Sequence, residues 1–261
     1  MSEQAMTIMP TAFVGHGAPT LAVDRLKGAD LKRWGQSMPV PRAVLMVSAH
    51  WEATPVTLGS VAARPLVYDF YGFPPALYQI QYPAPGAPEL ADRVAALLEP
   101  EPVARSDRGL DHGVWVPALH LWPKANVPIL QLSIPTHSGP TLFELGRRLA
   151  PLRKEGILIM GSGNLVHNLR ALDFQGGSSA SPSWASEFDA WCTEALSTQS
   201  WDTLIDYAAS APGLRLAHPT VEHLVPLLVA AGAASDSQPA VSFPVQGFEY
   251  GSISRRSVQL G

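Results

Sequence analysis

Of the eight histidines in the chain, three stand where short apolar runs give out. Ala43 to Val47 is followed by Ser48, Ala49, His50 and Trp51. Thr11 to Val14 ends in Gly15-His16-Gly17. Gly156 to Met160 leads through Gly161-Ser162-Gly163-Asn164 to His167. Apolar runs of this length, bounded by small or turn-forming residues, read as buried strands. In open α/β sheets ligands bind beyond the carboxyl ends of strands, so imidazoles placed there are better positioned for chemistry than for packing. A lone histidine carries little meaning. Three at strand exits point to a metal site, because imidazole is the commonest side-chain ligand and a rigid sheet can assemble one from separate strand ends.

The remaining histidines are weighed against that site. His223 sits in Ala217 to Ala233, read as a helix with Pro219 in its first turn, so His223 lies about one turn inside. His218 and His223, with Glu222 beside them, suggest a zinc protease. Their spacing refuses it: ligands five residues apart are turned by about 140° on a helix, whereas that motif needs them four apart. Only one of the pair reaches a metal, and the intervals of 34, 117 and 56 residues separating positions 16, 50, 167 and 223 mark a site spread over the fold. His112, in Asp111-His112-Gly113, is placed on a loop that could face the site, and His137 is a further strand-exit histidine. His120 is read as structural. Gly161-Ser162-Gly163 lacks the residues of a nucleophile elbow, and neither a GxGxxG nor a P-loop continuation follows it, so acyl transfer through that serine and nucleotide binding are both disfavoured.

The elements that must position these residues alternate along the chain. Helical patterns occupy Ala18 to Met38, Ala87 to Leu98 and Gly139 to Arg153, and two more fall over Ser183 to Ser197 and Asp202 to Ala209. Strand-like runs cover Val127 to Ile134, Ala240 to Phe243 and Gly251 to Leu260. The expectation is one α/β domain over residues 1–261, with a mostly parallel or mixed central sheet flanked by helices and the site at strand C-terminal ends. Between Glu52 and Pro85 an aromatic, proline-rich stretch (Trp51 just upstream, then Tyr68, Phe70, Tyr71, Phe73, Tyr78 and Tyr82) suits a structured loop closing over a pocket. Trp51, Tyr68 and Phe70 are its candidate pocket residues.

The chain has 261 residues, 46% hydrophobic and 15% charged, with a net charge of −4. That composition favours a core-rich globule and disfavours nucleic-acid binding, since no lysine or arginine run appears. The single cysteine, Cys192, excludes an internal disulfide framework and a cysteine-based zinc cluster and fits a reducing compartment. No segment offers about 18 uninterrupted apolar residues, and the acidic residue in MSEQAMTIMP does not suit a signal peptide. A cytoplasmic location is the expectation.

Taken together, FVGHGAPT with His16, SAHW with His50, YDFYGFP from Tyr68 to Pro74, GSGNLVHNLR with His167 and HPTVEHLVPL with His223 resemble the DOPA-type extradiol dioxygenases, class III ring-cleavage enzymes. The resemblance covers nearly the whole chain in order. It implies an α/β fold carrying one divalent metal, with His16, His50 and His223 as its ligands. It further implies His167 as an acid/base that could become a fourth ligand, and His112 in DHGVW as a further active-site histidine. The implied partners are a small aromatic diol and dioxygen, and the implied metal is Fe(II) for activity, with Zn(II) also suited to three neutral nitrogens. More distant relatives place a carboxylate where this chain has a third histidine. A zinc hydrolase using the same histidines and a MEMO-like binding protein without catalysis remain the alternatives.

Overall fold

The computed structural model describes residues 8–173 and 181–261. The stretch read above for a signal peptide lies largely in residues 1–7, outside the described residues.

Ten strands are described. They are β1 (Thr11–Gly15), β2 (Ala43–Glu52), β3 (Thr57–Leu58), β4 (Ala104–Arg105), β5 (Ile129–Ile134), β6 (Ile157–Gly163), β7 (Val241–Val245), β8 (Phe248–Glu249), β9 (Ile253–Ser254) and β10 (Ser257–Leu260). Eight of them form one sheet in the order β4-β3-β5-β2-β6-β1-β10-β7. The central four, β5, β2, β6 and β1, run parallel, and β3 and β10 flank them antiparallel. The expected mixed sheet is therefore present.

Side chains alternate across the strands and divide the core into two layers. Leu45 and Val47 of β2, Phe13 of β1 and Ile159 of β6 pack on one face. Val44, Met46, Val14 and Met160 pack on the other. The described helices are α1 (Arg25–Ser37), α2 (Pro88–Leu97), α3 (His112–Leu121), α4 (Gly139–Leu149), α5 (Ser183–Ser197), α6 (Trp201–Ile205), α7 (Tyr207–Ser210), α8 (Leu214–Ala217) and α9 (Pro226–Ala234). The first face is covered by α4, α5 and α9, the second by α1 and α3. Helix α1 starts on Asp24, whose carboxylate accepts the Leu26 and Lys27 amides at 3.1 and 3.0 Å.

Several sequence expectations shift in ways that matter to the site. β2 does not stop at Val47; it runs to Glu52, and its ladder with β5 changes register between Val47 and Glu52. His50 lies within that irregularity, a device that re-aims side chains at sheet edges and active sites. The Gly161-Ser162-Gly163 run is strand, not loop, paired residue for residue with Phe13 to Gly15. His112 is the first residue of α3 rather than part of a loop. The expected helix over Ala217 to Ala233 begins only at Pro226, so His223 stands in the turns before it. Proline lacks an N–H and fits a first helical position, and here the one that starts the helix is Pro226 rather than Pro219. The helix expected over Asp202 to Ala209 splits at Asp206 (φ −92, ψ 39). The run from Gly251 to Leu260 is two strands, β9 and β10.

Candidate metal centre

Register brings the strand ends together. Gly15 pairs with Gly163, and Ser48 with Ser162, so β1 and β6 finish at one level and β2 passes that level just before its register change. His16 follows β1 directly, its amide donating to the Gly163 carbonyl at 3.0 Å. His50 leaves β2 at the register change. His223 comes from the far end of the chain and is locked to β6 through its carbonyl, which accepts the Asn164 amide at 3.1 Å. That approach depends on Gly163: a Cβ there would lie 2.0 Å from the His223 carbonyl oxygen.

The imidazoles converge. Ring centroids of His16 and His50 are 4.9 Å apart, and His223 is 5.3 Å from His16 and 4.9 Å from His50. His112 lies 3.9 Å from His50, and His167 stacks on His223 at 3.5 Å with the planes within 8°. Two groups of potential ligand atoms result, each within 4.8 Å: His16, His50 and His112, and His167, Glu222 and His223.

Hydrogen bonding sets the tautomers. The Ser162 hydroxyl donates to the Gly113 carbonyl, so it accepts the Nδ1–H of His16 at 2.9 Å and leaves the His16 Nε2 lone pair free. Glu222 accepts from His223 Nδ1 at 2.9 Å, freeing His223 Nε2, which is buried without any partner. Asp69 accepts from His112 Nδ1 at 2.8 Å and faces His50 Nδ1 at 3.5 Å. The Nε2 atoms of His50 and His16 then approach to 3.1 Å. Two lone pairs at that distance, beside a third orphaned nitrogen, form a donor set that a divalent cation would satisfy.

Burial keeps these rings neutral. It lowers His16 and His223 well below the usual imidazole value, reinforced by neighbouring histidines. Burial also lowers His50 to about 3, with His112 adding to the effect and Asp69 opposing it. His167 falls to about 4, again chiefly through burial. Burial pushes the Asp69 carboxyl up, but the hydrogen bonds from His112 and the neighbouring imidazoles outweigh it and hold Asp69 at about 2.

A cavity of about 660 Å³ opens over the cluster. His16, His50, His112, His167 and His223 all line it, together with Phe70, Tyr71 and Phe73. Trp51 and Tyr68 lie outside the lining. Trp51 neighbours His50 on a strand and so points to the opposite side, where the Arg108 guanidinium covers its ring at 5.6 Å. Tyr68 stands behind Phe70, its hydroxyl donating to the Ile80 carbonyl at 2.5 Å. The other three histidines stay apart from the cluster. His120 donates to the Leu21 carbonyl at 2.8 Å, His137 pairs with Glu52 at 3.2 Å, and His218 donates to the Leu165 carbonyl at 2.8 Å.

Sequence reasoning missed Asp69. Its signal was visible, since it is the one charged residue between Arg64 and Glu89, inside an otherwise apolar and aromatic stretch. In the sequence Glu222 reads only as part of a zinc-protease pattern, and Ser162 only as a failed nucleophile. Each instead orients a histidine.

Comparison with known proteins agrees with this geometry. The profile of the family described as the catalytic LigB subunit of aromatic ring-opening dioxygenase matches residues 28–261. The chain is 42% identical over 263 residues to 4,5-DOPA dioxygenase extradiol of Escherichia coli K12, covering 98% of this chain and 96% of that one. It is 40% identical over 242 residues to the protein of the same name from Beta vulgaris, covering 89% and 90%. A crystal structure of an uncharacterized Escherichia coli K12 protein superposes with a TM-score of 0.82 at 38% identity, covering 97% of this chain and all of the other. With its histidines gathered at the strand ends and this similarity running through nearly its full length, the chain belongs to the LigB family of aromatic ring-opening dioxygenases.

Proposed function

We propose that residues 1–261 form one catalytic domain that opens the ring of a DOPA-like catechol beside its hydroxyls, using dioxygen and one divalent metal held by His16, His50 and His223. The observation that carries this ligand set is the His223 Nε2, buried and unpartnered beside the facing Nε2 atoms of His16 and His50. His112 competes for the third position by proximity, and its Nδ1 is held by Asp69 much as that of His223 is held by Glu222; what favours His223 is that its Nε2, unlike that of His112, is among the orphaned buried atoms. The substrate class rests on the relatives named 4,5-DOPA dioxygenase extradiol.

When bound, Fe(II) supplies Lewis acidity toward the catechol oxygens and redox chemistry with dioxygen, and Zn(II) is the other ion the three nitrogens suit. His167 is the acid/base. Its ring is stacked against His223 and neutral at pH 7, so it can take a catechol hydroxyl proton and return it later. His112, fixed by Asp69 through both its Nδ1 and its backbone amide at 3.1 Å, presents its other edge toward the same space. Phe70 and Phe73 wall the cavity and hold the ring away from water. No helix among the described residues is long and apolar enough to cross a membrane, and a cytoplasmic setting goes with this proposal through the free, buried Cys192.

The test is anaerobic reconstitution with Fe(II), followed by oxygen and a panel of catechols. Stoichiometric oxygen uptake with yellow ring-opened product is the expected result. Oxygen-independent hydrolysis would instead support a zinc hydrolase. Peptide binding with neither activity would support a MEMO-like role.

A further inference from the structure

The lining of the cavity is unbalanced in charge. Its two carboxylates are both engaged, Asp69 with His112 and His50, and Glu222 with His223 and Thr220. Among the described residues the lining holds one side chain with a permanent positive charge, Arg170. Its backbone amide donates to Asn168 Oδ1 at 3.0 Å, and Asn168 Nδ2 in turn holds the Leu216 carbonyl at 2.8 Å, so the turn presenting it is anchored. Its guanidinium has no hydrogen bond or ion pair among the described residues. Arg170 also lies on the same short segment as His167, and both line the cavity.

We infer that Arg170 is a specificity-determining residue that receives a carboxylate on the side chain of the substrate, making the preferred catechols anionic ones. This rests on the ring-opening reading above and narrows its substrate class. A guanidinium offers a carboxylate two parallel N–H donors, and the apolar side chains of Phe70, Phe73 and Leu172 line the same cavity. A neutral side chain would leave the arginine solvated and gain nothing from it. A charge-assisted hydrogen bond at this rim corresponds to about tenfold in affinity.

The experiment uses the Fe(II)-loaded protein without oxygen and measures equilibrium binding of a catechol bearing a propanoate chain and of its neutral primary amide. The expected result is about tenfold tighter binding of the carboxylate by the wild type, shrinking as salt is added. Arg170→Gln should bring the two ligands within about twofold, and Arg170→Lys should keep most of the preference. Arg170 is exposed, so these variants leave the core untouched. Equal binding by the wild type, a preference that survives Arg170→Gln, or no binding of either ligand would overturn the inference. Oxygen is then admitted to the same samples. Failure of ring opening at that point counts against the proposed reaction and leaves the binding comparison to decide the role of Arg170.

Discussion

Gly163→Ala isolates the step by which a distant segment enters the metal centre. The added Cβ would lie 2.0 Å from the His223 carbonyl oxygen and 2.9 Å from its carbon, whereas real Cβ atoms essentially never come within 3.0 Å. The obstructing atoms are backbone, so no flexible side chain can swing aside. The His223 strand of chain must retreat by about 1 Å, weakening the bond that its carbonyl accepts from Asn164. Overpacking of this kind costs about 1–3 kcal/mol, which lowers the melting temperature by roughly 2–10 °C in a chain of this size. A displacement of about 1 Å at the centre costs on the order of 100-fold in turnover. Thermal unfolding, metal content after dialysis and oxygen uptake would each be measured. Gly59→Ala is the control, because its nearest neighbours stand 3.4 Å from the new carbon; it should behave as wild type. Full metal content and unchanged melting in Gly163→Ala would refute the claim that this close approach delivers His223 to the metal.

His50→Ala should lose bound metal while keeping the fold, and His112→Ala should keep the metal, both read by elemental analysis; the reverse pattern would put His112 in place of His50 among the ligands. His167→Ala should retain metal but lose about 100- to 10,000-fold of turnover, the usual range for a general acid or base, and undiminished ring opening would remove that role. Burial lowers the fully buried His218 to about 4, its hydrogen bond to Leu165 only partly opposing this. The unfolded chain therefore takes up a proton near pH 6.5 that the folded one refuses, so stability is intact above pH 6.5 and falls as pH drops toward 4, by about 3 kcal/mol from this group. Denaturant unfolding across that window measures the loss, and His218→Gln should flatten the slope.

The chain by itself determined the fold class and which histidines reach the sheet's carboxyl edge. Buried parallel strands need continuous apolar runs, and those runs are plain in Ala43 to Val47 and Gly156 to Met160; a histidine just past such a run has few places to go except the sheet's carboxyl edge. Tertiary structure decided what depends on approach between distant segments. Nothing local in Gly163 announces that its missing Cβ admits His223, or that the strand of Gly161-Ser162-Gly163 continues instead of turning. Asp69 gains its role only by meeting His112, 43 residues further along the chain, whereas Glu222 holds the ring of its own neighbour, His223. Trp51 and Tyr68 show the converse. Their aromatic character is legible in sequence, but which face of the strand or loop they take is fixed by alternation and packing, and that face turns both away from the cavity.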